Sequence, residues 1–87
     1  MSHIKTASGF EADIDEKSLN DFRLMMAIRE TKTDKTALVD VVRFILGDEG
    51  LHGLVDHLVE TEGQPTYEAI EREMTELMAQ LSESKKK

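Results

Sequence analysis

Cysteine is absent from the chain, and tryptophan with it. No disulfide framework can therefore staple the fold, and no thiolate can hold a metal. A zinc site would have to be built from histidine and carboxylates alone. Proline occurs once, at Pro65, and glycine five times, so long helices meet few breakers. No apolar run approaches the ~20 residues needed to cross a bilayer. The opening Met1-Ser2-His3-Ile4-Lys5 has no apolar leader core. The expectation is a protein that stays in the cytoplasm, with no membrane partner. Basic charge is scarce too. The 87 residues carry 11 Lys and Arg against 18 Asp and Glu, net −7. Three of the cations are the terminal Lys85, Lys86 and Lys87. A body this acidic repels phosphate backbones, which argues against nucleic acid as a partner.

What remains is enough for one small domain with a thin core. Residues 1–8 are polar and aperiodic and read as a mobile N-terminus. Residues 9–82 read as a single helical domain, and 83–87 as a Lys-rich tail. Phe10-Glu11-Ala12-Asp13-Ile14 alternates apolar and polar residues, the period of a half-buried strand or an extended arm. A lone strand cannot satisfy its own backbone, so Phe10 and Ile14 become candidates for subunit-to-subunit pairing.

The rest is helical in period. The fold class expected is mainly α: four short-to-medium helices in a small helical domain, with one short N-terminal strand or arm. Asp15 can cap the first helix, with Leu19, Phe22, Met25 and Met26 as its stripe. Thr33 or Asp34 can cap the second, the most apolar, through Leu38, Val41, Val42 and Ile45. Gly47 sits where a left-handed residue ends a helix. Asp48 can start the third, with Leu51, Leu54, Val55 and Leu58 in line, and Gly63 closing it. Gly50 and Gly53 mark either close contact or a softer element. Thr66 can cap the last helix. There Tyr67, Ile70, Met74, Leu77 and Leu81 form an a/d seam with Met78 beside it. Glu68, Glu71, Glu73 and Glu76 are expected on its outer side. Those six apolar residues are the further candidates for a partner-facing surface. Methionine suits an adaptable contact surface or fills core gaps. The core role is expected for Met74 and for Met25 or Met26, the contact role for Met78.

Chemistry-bearing patterns are few. His52 and His57 are five apart, not the three or four of a helical metal site. His52 and Asp56 have the spacing of a surface pair. The serines Ser2, Ser8, Ser18, Ser82 and Ser84 sit in chain ends or at a helix start, none in a nucleophile elbow. The paired carboxylates Asp15-Glu16 and Asp48-Glu49 fall at helix starts, where the dipole favours them. Gly47-Asp48-Glu49-Gly50 would repel phosphate. No catalytic, cofactor or metal residues are assigned.

The order of elements is more distinctive. A short acidic strand precedes Asp15-Glu16 and Asp21-Phe22-x-Leu24. An apolar helix ends Phe44-Ile45-Leu46-Gly47-Asp48-Glu49. A leucine-rich helix, a Gly63-x-Pro65 linker and an acidic amphipathic helix ending Ser82-Glu83-Ser84-Lys85 complete it. This arrangement, over residues 9–87, resembles the small tail assembly chaperones of long-tailed bacteriophages and prophages. Phe22 stands where that family often has tryptophan. The resemblance implies a non-catalytic protein of the host cytoplasm that self-associates. It implies coating of the tape-measure protein, recruitment of tail-tube subunits, and absence from the mature virion. It also implies two product lengths through a ribosomal frameshift, and the A-rich codons of Lys85–Lys87 would suit a slippery run. An alternative from composition is an acidic regulatory or DNA-mimic protein that blocks a DNA-binding partner.

Overall fold

The structure, a computed structural model, describes residues 2–85. In chain order it has strands β1 (Ser2–Lys5) and β2 (Glu11–Ile14), a 3₁₀ turn (Glu16–Asn20), and helices α1 (Phe22–Glu30), α2 (Ala37–Glu62) and α3 (Tyr67–Lys85). The fold is mainly helical.

The expected strand does find a partner, and it lies in the segment read as mobile. β1 pairs antiparallel with β2, His3 opposite Asp13 and Ile4 opposite Ala12. Ile4 is the one apolar residue in Ser2-His3-Ile4-Lys5, too little alternation to signal a strand, yet the segment pairs once a partner strand follows. Ile4 and Ile14 are buried beneath the ladder, and His3, Lys5, Glu11 and Asp13 face outward. The connection is closed by the Thr6 amide donating to the Phe10 carbonyl at 2.9 Å.

Three helices replace the expected four. The element beginning after Asp15 is a 3₁₀ turn, capped by the Asp15 carboxylate accepting from the Lys17 amide. The α-helix starts only after Asp21, whose carboxylate accepts from the Arg23 amide at 2.9 Å. The second and third expected helices run as one, α2, kinked at Gly47. Gly47 adopts φ 77°, ψ 172°, a region open essentially to glycine alone. The helix break at Gly47 was legible, and Asp48 resumes helical geometry at once, so the two expected helices abut as two limbs of one kinked element. Open space surrounds Gly47, whereas a Cβ at Gly50 would lie 2.6 Å from the Leu46 Cβ. Gly50 is thus a close-contact glycine that lets the two limbs meet across the kink. Gly47→Ala is expected to cost about 1–3 kcal/mol from backbone strain alone, read as a lowered midpoint in urea denaturation.

α2 is the central element. Leu38, Val41, Val42 and Ile45 on its first limb and Leu54 and Leu58 on its second are buried. α1 packs on α2, β2 also leans on α2, and α3 lies against β1 and α2. Thr66 caps α3 through its hydroxyl, which accepts from the Ala69 amide at 3.1 Å. α3 continues past the expected boundary at 82 to Lys85. Lys86 and Lys87, the end of the expected Lys-rich tail, lie outside the described residues.

Candidate functional site

Of the eight partner-facing candidates, Phe10, Ile14, Met74, Leu77 and Leu81 lie in the core. They bind the hairpin and α3 to α2 within one chain, and a second molecule cannot reach them in this conformation. Tyr67, Ile70 and Met78 are half-buried against that core. Tyr67 and Ile70 line a groove of about 240 Å³ with Leu38, Val42, Leu51 and Val55. Lys35 also lines it, its Nζ 5.2 Å from the Tyr67 ring centre. Met78 lines a smaller notch with Ile28 and Met74.

Most of the uncovered apolar surface is on α1 instead, with Val39 and Val59 of α2 the other exposed large apolar side chains among the described residues. This nine-residue helix fully buries one side chain, Leu24, with Ala27 half-buried behind it. Phe22 is 70% exposed, Met25 55% and Met26 58%. Neither methionine fills a core gap, contrary to the sequence expectation, because α1 is too short for both sides of its broad stripe to find cover. With Ile28, Arg29 and Lys32 they form a shallow depression of about 460 Å³. α1 is held in place at its base. Arg23 pairs with Asp21 through both carboxylate oxygens, at 3.0 and 2.7 Å, and lies 5.4 Å from the Phe44 ring centre. The guanidinium holds the Asp21 carboxyl below its usual range.

A polar cluster that the sequence did not announce sits under the hairpin loop. Glu73 is fully buried, not on the outer side of α3. Its Oε1 accepts from the Thr6 hydroxyl at 2.7 Å and the Ser8 hydroxyl at 3.0 Å. Its Oε2 accepts from Arg72, which also pairs with Glu62. Nearby, the Glu76 carboxylate accepts from the Ala7 amide at 2.7 Å, and Gln80 donates to the Lys5 carbonyl at 3.0 Å. One signal was present: Ala69, Glu73 and Leu77 are spaced by four, and the outer two are apolar. Glutamate in the middle reads as a solvated flank unless the hydroxyls of a distant loop are known to arrive.

Ser8 Oγ lies 3.2 Å from His57 Nε2, the spacing of a nucleophile and its base. That nitrogen is also 3.1 Å from the Ser8 carbonyl oxygen, which can only accept. Nε2 therefore carries its proton and has no lone pair for the Ser8 hydroxyl, which donates to Glu73. The arrangement ties a loop down. His52 does not pair with Asp56; its Nδ1 donates to the Asp48 carbonyl at 2.8 Å. Among the described residues no three histidine, aspartate or glutamate side chains are placed to hold a metal ion.

The hairpin carries its own pH dependence. His3 lies 2.8 Å from both Asp13 and Glu11, and hydrogen bonds first to Asp13 and then to Glu11 raise its pKa above 6.5. Glu16, bonded by the Ser2 hydroxyl at 2.5 Å, is lowered from 4.5 to about 2. The His3 contribution is complete below pH 6.5 and fades as pH rises through the elevated folded value. The Glu16 contribution is complete above pH 4.5 and fades as pH falls toward about 2. Amide protection in β1 and β2, taken relative to the intrinsic exchange rate at each pH, is expected to be highest between these limits. His3→Gln is expected to abolish the alkaline loss while leaving the acid limb unchanged.

No helix among the described residues is long and apolar enough to cross a membrane. No protein-family model, no curated protein and no solved structure matches the chain.

Proposed function

We propose that the chain is a non-catalytic tail assembly chaperone of the long-tailed phage type. In this reading it acts in the host cytoplasm, associates with further copies of itself and coats a tape-measure protein. It recruits tail-tube subunits and is absent from the finished virion. The observation that carries the proposal is α1: Phe22, Met25 and Met26 stand more than half exposed on a helix anchored by Leu24. A long helical client has apolar stripes that aggregate unless covered. A small, acidic protein with an uncovered apolar ridge supplies cover on one side and charge repulsion on the other.

A DNA mimic would instead present carboxylates along an exposed face. Here the exposed ridge is apolar and flanked by Arg29 and Lys32, so that reading ranks behind.

The test is co-expression with the very long helical reading frame of the same genome. The client is expected to co-purify with the chain, and light scattering is expected to give masses above the monomer as concentration rises. A strict monomer at high concentration that releases the client into inclusion bodies would end the proposal.

A further inference from the structure

The uncovered ridge of α1 differs in charge from the rest of the molecule. Residues 22–35 hold four cations, Arg23, Arg29, Lys32 and Lys35, against two carboxylates, Glu30 and Asp34. This is a net +2 stretch in a chain of −7. Two of the cations are engaged elsewhere: Arg23 with Asp21 and Phe44, Lys35 with Tyr67. Arg29 and Lys32 are exposed, and among the described residues no carboxylate pairs with either. Both line the depression that Phe22, Met25, Met26 and Ile28 form. Glu30 lines the adjoining hollow together with Met26, Arg29, Lys32 and Thr33, and forms no ion pair with either cation.

Phe22, Met25, Met26 and Arg29 fall at i, i+3, i+4 and i+7, one ridge of a helix. Such a ridge fits the groove between successive turns of another helix. Free cations beside an apolar ridge favour a partner with apolar anchors and carboxylates next to them. We infer that α1 docks an acidic amphipathic helix. The inference rests on the chaperone reading and gives its client site a chemistry: leucine- or phenylalanine-rich helical segments flanked by Asp and Glu. The chain's own acidic amphipathic helix, α3, is not that occupant, because Met74, Leu77 and Leu81 are consumed by the core. An anionic membrane surface would meet the same two cations, and the vesicles in the test below separate it from a helix.

The test is fluorescence anisotropy with the full chain and labelled helical peptides that share one apolar face. Their flanks carry Glu, Gln or Lys. The Glu peptide is expected to bind about tenfold or more tighter than the Lys peptide, and to weaken between roughly 0.05 and 0.3 M salt. The double substitution Arg29→Glu and Lys32→Glu is expected to invert that order. Phe22→Ser with Met26→Ser is expected to abolish binding of all three, while the thermal melt confirms the fold. Equal affinity for Glu and Lys peptides overturns the inference. So does a preference for Lys, or binding to phosphatidylglycerol vesicles without binding to the Glu peptide. Two failures are separable. If the peptides show no charge preference but the Phe22→Ser, Met26→Ser chain loses its client, the chaperone reading stands and the acidic-partner inference falls. If that chain keeps its client, the assignment of α1 as the client surface falls with it.

Discussion

Leu77→Ala is expected to destabilise the chain by roughly 2–5 kcal/mol. Leu77 is wholly buried beside Met74, Leu81 and the leucines of α2. Truncation removes its transfer free energy and leaves a cavity that the surrounding helices only partly close. A domain of this size has about 5–10 kcal/mol in total, so the loss is a large share and a fall in melting temperature reports it directly. The outcome also separates two roles for the α3 seam. A docking face would tolerate the change in isolation and fail only in the complex. A core face fails alone, at any concentration, and this is the expected result.

Glu73→Ala is expected to cost about 2–4 kcal/mol. The change removes the acceptor to which the buried Thr6 and half-buried Ser8 hydroxyls both donate; they lie 3.1 Å apart, so one can turn to the other while the second loses its acceptor. It also frees Arg72 from one of its two carboxylates. Glu73→Gln keeps an acceptor oxygen at that place and should lose less. The informative variant combines Glu73→Leu, Thr6→Val and Ser8→Ala. With donors and acceptor removed together, most of the lost stability should return, because no polar group is left buried without a partner. Amide exchange localises the effect. β1 and β2 should open first in Glu73→Ala, since the loop between them is what the cluster ties to α3 and α2. A Glu73→Ala chain as stable as the parent, with a protected hairpin, would show that the cluster contributes nothing.

These two residues also mark how far the sequence could be read. The seam Tyr67, Ile70, Met74, Leu77, Leu81 was legible as a helix face, as were the Thr66 cap and the left-handed turn at Gly47. Periodicity tells which residues share a face but not what covers the face. In a chain this short, that choice between core and partner decides the functional reading. It turns on tertiary facts: β1 supplies a second strand, the hairpin lands on α3, and the two limbs of α2 join directly at the Gly47 kink. Those facts send Phe10 and Ile14 inward with Leu77. They leave α1, whose Met25 or Met26 looked like a gap filler, with the ridge that nothing covers. Glu73 was hidden for the same reason, because its partners Thr6 and Ser8 are more than 60 residues away.

The apolar ridge of α1 can be removed without touching the core. Phe22, Met25 and Met26 are exposed, so replacing all three with serine should shift stability by no more than roughly 0.5 kcal/mol per site. The decisive quantity is the fraction of a co-expressed tape-measure protein found in the soluble extract, compared between the parent chain and the triple-serine chain at matched expression. Loss of the soluble client with an unchanged melting temperature is the result expected of a molecule that works through this ridge. A client kept soluble to the same extent by the triple-serine chain would contradict it.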